Sequence, residues 1–528
     1  MRAMSLWLRE IRRDCARGCT KNVVLLWLVL LPYGLTGFAI GNHIQESERL
    51  LAVGNLEGAE REAKLALSSP ETQALAWAML GTIRLQQNRN QEGIECLEKA
   101  ISLEPKLVGA RMNLGNAYSK LGQTDKARQA YRDALRVRPD STPARLSLAQ
   151  LEASAGNHAT SLQVAEPILV ALRRTPEGIL LLAADYSGLK RKSRLALLVG
   201  EWRKLGEIPE SKTLEFADIL SRNGLLPEAI EVVKGQASAN ENPSFETTFA
   251  LAGLYARQGN TKLASDYYES ALKQREGCVP CLRGLASIAR TEGDTEKALA
   301  YLIRARKLSP EDPDVQFEFG RVCLERDLFD DGVEALEKAV ALRPDNDHYR
   351  YVLASGYTSL AHYPKARVLL EGLVKKHPND SALHYAVGAV LYLMAEFDAA
   401  ETSLRKSIEL NADQVGSYYY LGLIAEKSKD YQAAEQIFRR LLKDHPEHVP
   451  SYAWLGTVLV EMRKYSEAQP VLEEAIRRDP SSVQAHFQLG ILLGRLGRQA
   501  EAAKEVEISR ALEKKRVREL NRLPRILP

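Results

Sequence analysis

The sequence is poor in the residues that carry covalent or metal chemistry. Its 528 residues hold nine histidines and six cysteines, and no histidines fall in an HExxH or comparable ligand spacing, so a metal centre is not expected. No glycine-rich phosphate loop follows a strand pattern, and there is no Gly-x-Ser-x-Gly elbow. An excess of charge is also missing. With 72 basic against 68 acidic side chains the formal net charge is +4, which offers no general attraction for nucleic acid. No cofactor and no catalytic residues follow from such a composition, and the chain reads as a non-enzyme.

The CxxC pair Cys278 and Cys281 is the best redox candidate, because such a pair at a helix start can lower a thiol pKa. No thioredoxin-like strand pattern surrounds it, so a structural disulfide or two unpaired thiols is the expectation. Cys96 and Cys323 read as small core residues, and Cys15 and Cys19 as reduced thiols ahead of an anchor.

Charge is wholly missing from Val23 to Gly41, "VVLLWLVLLPYGLTGFAIG". A helix of that length reaches about 28 Å, close to the thickness of a bilayer's hydrocarbon core. Arg2, Arg9, Arg12, Arg13, Arg17 and Lys21 precede it against Glu10 and Asp14, which keeps the N-terminus cytoplasmic and places the remaining chain outside the cytoplasm. The expectation is a single-pass anchor. Cleavage near Ala39, where small residues suit a signal peptidase, is the alternative and would release a secreted protein.

What the chain has in abundance is one pattern. It repeats every 34 residues, with units beginning at Ala74, Val108, Thr142, Pro176 and Glu210, then, after one inserted residue near "NENPS", at Phe245, Val279, Pro313, Asp347, Ser381, Val415, Val449 and Val483. A weaker unit begins at Ile40. Counting each start as position 1, position 8 is Gly or Ala throughout, as at Gly81, Gly115, Ala286, Gly388 and Gly456. Two helices can approach closely only over such a residue. Position 20 is usually small, as at Ala127 and Ala366. Prolines at position 32, such as Pro105, Pro310 and Pro480, end a second helix.

Leu114, Gly115, Tyr118, Ala127, Tyr131, Ala134 and Pro139 of the Val108 unit show the pattern most fully, and it resembles the tetratricopeptide repeat family. The resemblance implies an all-α, right-handed superhelical solenoid of stacked antiparallel helix pairs, with a concave groove lined by the first helices. The resulting division is a basic N-terminus (1–21), an anchor or signal segment (22–41), a degenerate repeat or cap (42–73), an N-terminal array (74–243), a C-terminal array (244–516) and a basic tail (517–528). The Pro176 unit departs from the pattern, with Leu195 where a small residue belongs and a basic turn, "KRKSR", that reads as solvated.

In the family, positions 2, 5, 9, 12 and 13 face the groove. Position 5 reads Phe249, Arg283, Phe317, Tyr351, Tyr385, Tyr419, Ala453 and Phe487, a run rich in rings in a chain only 7% aromatic. Rigid rings suit binding hot spots. Arg290 and Arg321 join Arg283 near the front of this track, and Tyr392 and Leu423 widen its apolar part. The expectation is a groove from Phe249 to Phe487 that takes a protein or peptide segment. Packing of the same rings between adjacent first helices is the competing reading.

Tyr418, Tyr419 and Tyr420 occupy positions 4, 5 and 6 of their unit. Tyr418 is assigned to the inter-helix core, Tyr419 to the groove and Tyr420 to the neighbouring repeat. His384 and His486, also at position 4, are packing residues. The family's dicarboxylate clamp, Lys and Asn at positions 5 and 9, is missing, so partners held that way are not expected. Its asparagine ladder at position 6 is represented only by Asn113. The functional reading is a membrane-anchored binding scaffold or adaptor. A scaffold subunit of a polysaccharide-export or envelope-assembly complex is the alternative, and thiol redox activity a third.

Overall fold

The computed structural model describes residues 41–238 and 242–520. The segment expected to cross a membrane lies outside the described residues up to Ile40, as do residues 521–528 of the tail. Among the described residues no helix is long and apolar enough to span a bilayer, and none forms a strand. They divide into two compact units, one ending at Leu254 and the other beginning at Tyr255.

Helices begin where the repeat pattern begins. Val108–Lys120, Thr142–Ser154, Val279–Thr291, Val415–Lys427 and Val483–Arg495 are first helices, and Thr124–Val137, Thr295–Leu308 and Tyr431–Asp444 are second helices. Many starts are fixed by a short polar side chain that accepts an otherwise unpaired N–H, such as Ser141, Asp294, Asp380, Asp430 and Ser482. Between the two helices, position 15 always adopts a left-handed backbone. Glycine stands there at Gly122, Gly224 and Gly293, but Lys190, Ala361, Ala395, Lys429 and Arg463 take the same conformation, with φ of 55–61°. The N–H of the next residue then closes the turn, as from Gln123 to the Tyr118 carbonyl at 2.9 Å.

The two helices of a unit meet over position 8. A Cβ added to Gly115 would lie 2.5 Å from the Tyr131 ring, and one on Gly422 would lie 2.6 Å from the Phe438 ring. Leu404 and Leu472 close over Gly388 and Gly456 in the same way. Each covering side chain belongs to position 24 of its own unit and is buried. Ala127, Ala298, Ala366, Ala434 and Ala468 at position 20 have no exposed surface.

Successive units are joined through position 4, where the structure corrects the sequence reading. The inter-helix core takes position 3, including Ala144, Val315, Leu383 and Ser417, all buried. Where the preceding unit ends in a position 32 proline, position 4 in six units reaches back to its carbonyl, whereas Ile179, Thr213, Thr248 and Leu282 at position 4 are buried. Arg111 and Arg145 donate to Pro105 and Pro139, and Gln316 to Pro310; His384, Tyr452 and His486 bond Pro378, Pro446 and Pro480, all at 2.6–3.2 Å. These carbonyls sit where a helix has just ended and have no intrahelical donor. Tyr418 follows Ala412 rather than a proline, and it lies partly exposed with the Arg440 guanidinium 5.2 Å from its ring centre.

The first unit holds the main irregularity. The second helix of the Thr142 repeat breaks into His158–Ala165, a 3-10 turn at Glu166–Ile168 and Leu169–Leu172, because Pro167 cannot supply an N–H to a continuous helix. Leu195, the misfit of the next unit, is fully buried.

Two substitutions separate these constraints. Gly422→Val should destabilise by about 1–3 kcal/mol, since the Phe438 ring must move. Ala395→Gly should stabilise by up to about 1 kcal/mol by relieving the left-handed conformation. Urea midpoints of the two variants should shift in opposite directions.

Candidate functional site

The groove residues singled out from the sequence lie on first helices; the structure places one of them in the first compact unit and sorts those of the second into three groups. Phe249 belongs to the first compact unit, where its ring stacks on Phe245 at 5.8 Å. The others belong to the second.

The arginines at the front of that second unit are largely committed to neighbouring repeats. Arg283 makes a two-pronged pair with Glu318, Nη2 to Oε1 at 2.7 Å and Nε to Oε2 at 3.2 Å, and its Nη1 lies 3.5 Å from Asp314. Burial opposes the Arg283 charge, but these carboxylates outweigh it and raise its pKa. Arg290 Nη1 pairs with Glu325 at 3.2 Å. Asp314 also accepts from Arg343 at 2.8 Å and from the Tyr349 hydroxyl. Arg321 forms no ion pair; its guanidinium lies 5.6 Å from the centre of the Phe317 ring. Burial, reinforced by repulsion from Arg290, lowers its pKa.

Two residues expected to line the groove are core residues. Phe317 is only 6% exposed because the next repeat covers it, with the Tyr349 ring stacked 4.4 Å away and His348 at 5.1 Å. Leu423, 5% exposed, packs with Phe438 and Leu455. Neither offers its side chain to a ligand.

The remaining rings form a connected patch. Tyr385 lies over Gly416 of the next unit, where an added Cβ would be 2.5 Å from the ring. Tyr420 sits against Tyr392, Tyr419 and Tyr385, at 5.2, 5.7 and 6.1 Å between ring centres. Tyr419 meets His448 at 5.2 Å and Phe438 at 6.3 Å. Tyr385, Tyr392, Tyr419 and Tyr420 are therefore half-buried, with part of each ring packed and part facing outward. Tyr351 and Phe487, at 37% and 44%, are the most open aromatic side chains of the track. Burial raises the pKa of Tyr385 and Tyr419, and neighbouring phenols add to it, Tyr420 and Tyr351 at Tyr385 and Tyr385 at Tyr419.

Tyr420, assigned from the sequence to the neighbouring repeat, packs there, but Glu318 and Trp454, also of position 6, were not singled out. Glu318, Tyr420 and Trp454 all stand at that position; Glu318 holds Arg283, Tyr420 closes the ring patch, and Trp454 packs on the same core cluster as Tyr419. Reading that register beside position 5 exposes the pairing, because each couples a first helix to an adjacent unit.

Cys278 and Cys281 form a disulfide with Cα atoms 5.3 Å apart. Both are buried, so neither sulfur faces an incoming thiol. Elsewhere, a cleft of about 590 Å³ lies among Val340, Tyr357, Val368 and Leu369, away from the first-helix track. Among the described residues no group of three or more His, Cys, Asp or Glu side chains could hold a metal.

With this geometry, models of the tetratricopeptide repeat match residues 84–151, 289–356 and 324–390, and again 394–449 and 455–510. These segments together make up more than half of the chain, which belongs to the tetratricopeptide repeat family. The chain is similar to Protein O-mannosyl-transferase TMTC1 of Homo sapiens, 30% identical over 184 residues, covering 30% of this chain and 21% of that protein. It is also similar to the Protein CTR9 homolog of Arabidopsis thaliana, 22% identical over 302 residues, covering 54% and 27%. The chain thus spans between a fifth and about a quarter of the length of these curated relatives. Among solved structures, a chain of the APC/C hetero-tetramer Cut9-Hcn1 aligns over 86% of this chain and 96% of its own, with 13% identity and a TM-score of 0.42.

Packing of the tyrosine patch has a spectroscopic consequence. The Tyr392 phenol is pushed up to about 12, by burial first and then by Glu426 and the neighbouring phenols. Its folded pKa exceeds the ordinary value of 10.0, so its stabilising contribution is present below that value and is lost as pH rises toward about 12. Burial also raises Tyr118, Tyr131, Tyr349 and Tyr357, so ultraviolet titration at alkaline pH should show several late-ionising tyrosines, and Tyr392→Phe should lower their number by one.

Proposed function

We propose that this chain is a non-catalytic protein-binding scaffold whose first-helix face, between Tyr351 and Phe487, captures a segment of a partner protein. The carrying observation is the outward surface left on rings otherwise locked by packing. Tyr351 and Phe487 keep 37% and 44% of their surface open, while Tyr385, Tyr392 and Tyr419 hold fixed orientations against neighbouring repeats. Preorganised aromatic surface gives contact area at little entropic cost. In the tetratricopeptide repeat family such a face receives peptide segments, and that likeness supports the reading. From the transferase and CTR9 relatives the proposal takes the repeat alone, since each is matched over a minor part of its length.

The proposal includes location. Residues 23–41 anchor the chain, the basic residues before them stay in the cytoplasm, and the repeats act on the outer side of the membrane. The uncharged run and its basic flank support this reading.

Affinity capture with Tyr351→Ala and Phe487→Ala, each beside the wild type, tests the binding face. Both should retain melting behaviour, since the side chains are open, while recovering less partner. Tyr385→Ala is a poorer probe because the lost packing on Gly416 and Tyr420 should itself destabilise by about 1–3 kcal/mol. Equal recovery by the Tyr351 and Phe487 variants moves the binding surface elsewhere. For location, an impermeant maleimide should label an engineered cysteine at the exposed Glu57 in intact cells. Labelling only after lysis places the repeats inside.

A further inference from the structure

The arginines at the front of the second unit are mismatched with their carboxylates. Glu318 is held by Arg283 and Glu325 by Arg290. Asp314 is shared by Arg283, Arg343 and the Tyr349 hydroxyl. Arg321 stands three residues after Glu318 and four before Glu325, spacings at which charged side chains on a helix can pair. Both of those carboxylates turn instead to arginines of the preceding repeat, and Arg321 is left over.

Its position is fixed without an ion pair. The stem crosses the buried Phe317, and the guanidinium lies 5.6 Å from that ring's centre. The Nε–H groups of Arg321 and Arg290 are both shielded from solvent, and neither donates to a protein atom. Repulsion between the two guanidinium groups adds to the burial penalty on Arg321, and the attraction of Glu325 and Glu318, which reach it without a hydrogen bond, does not offset the two. A partly buried cation with an unused donor is unfavourable for the isolated fold. The shielded Nε–H of Arg321 is out of a ligand's reach, but its Nη–H groups, which donate to no described protein atom, can present a pair of donors to an oxyanion.

We propose that Arg321, with Arg290 beside it, anchors the carboxylate of an Asp or Glu in the captured segment. The inference rests on the binding face proposed above and specifies its ligand as an acidic segment that also carries apolar residues. Those residues lie on the rings that begin one repeat further along, at Tyr351. Arg283, already neutralised by Glu318, takes no direct part in the anchor.

Selection of twelve-residue peptides from a random display library on the full chain tests this. Selected peptides should combine Asp or Glu with aromatic or aliphatic residues, and Tyr351→Ala should weaken them. Arg321→Met keeps the stem on Phe317 but removes the charge. It should weaken an acidic peptide by about 10- to 100-fold, the usual worth of a charged hydrogen bond, yet scarcely alter binding of the same peptide with Asn or Gln in place of the acid. Melting temperature should stay level or rise in Arg321→Met, because a partly buried unpaired charge is gone.

Peptides that depend on Tyr351 but ignore both the acid-to-amide exchange and Arg321→Met overturn the anchor and leave the binding face standing. A fall in melting temperature with equal loss for acidic and amide peptides makes Arg321 a structural residue and also overturns it. If the library yields no peptide sensitive to Tyr351→Ala, the binding face itself fails and the anchor with it.

Discussion

The array depends on the close approach of two helices over a residue that is almost absent. At Gly115, Gly388, Gly422 and Gly456 the neighbouring helix places a Tyr, Leu or Phe side chain in the space a Cβ would need. The larger residue at position 24 is therefore both the filler of the unit and the measure of its width. Because the side chain opposite is itself buried and packed on its other sides, little can yield when the small residue grows. Once this spacing is set, the left-handed residue at position 15 only has to reverse the chain. That explains how Lys190, Ala361 and Arg463 can hold a conformation that favours glycine: packing on both sides compensates for a local cost of about 1 kcal/mol.

A second constraint turns isolated hairpins into an array. At six unit junctions the second helix ends at a proline whose carbonyl lacks a helical donor, and the first helix of the next unit supplies one from position 4. Arg, Gln, His and Tyr all serve, since the requirement is a donor of suitable reach rather than a particular side chain. The histidines acquire a structural role thereby. His384 and His486 complete backbone hydrogen bonding at unit junctions, which accounts for their spacing by repeats rather than by any ligand geometry.

Period, helix starts and the pairing of small with large positions were legible in the sequence because they follow from local rules repeated many times. The fate of the groove residues was less so, since it depends on what the next repeat presents. Tyr385 and Phe317 share position 5, yet Gly416 leaves the Tyr385 ring room beside the next helix while His348 and Tyr349 close over Phe317. The same dependence governs Arg283, whose carboxylate partner is 35 residues away. A position-by-position reading of one register cannot see such couplings; two registers offset by one repeat can. Pro167 was legible as a helix breaker and was obscured by the regularity around it.

These couplings also explain the triple tyrosine at 418–420. Consecutive helical residues point about 100° apart, so the three rings meet three different surroundings. Tyr418 turns toward Arg440, Tyr419 toward Phe438 and His448, and Tyr420 back toward Tyr385 and Tyr392 of the preceding repeat. The packed edges hold the rings in place, and the edges left over form the outward patch. Core packing and presentation are thus not alternatives for a ring at a unit junction. Position 5 differs residue by residue: full burial at Phe317, rings packed on one side at Tyr385 and Tyr419, and an open side chain at Tyr351 and Phe487. Under the proposed function the open residues set the ligand while the half-buried ones keep the spacing between repeats, so binding specificity and the integrity of the array fall to different members of one series.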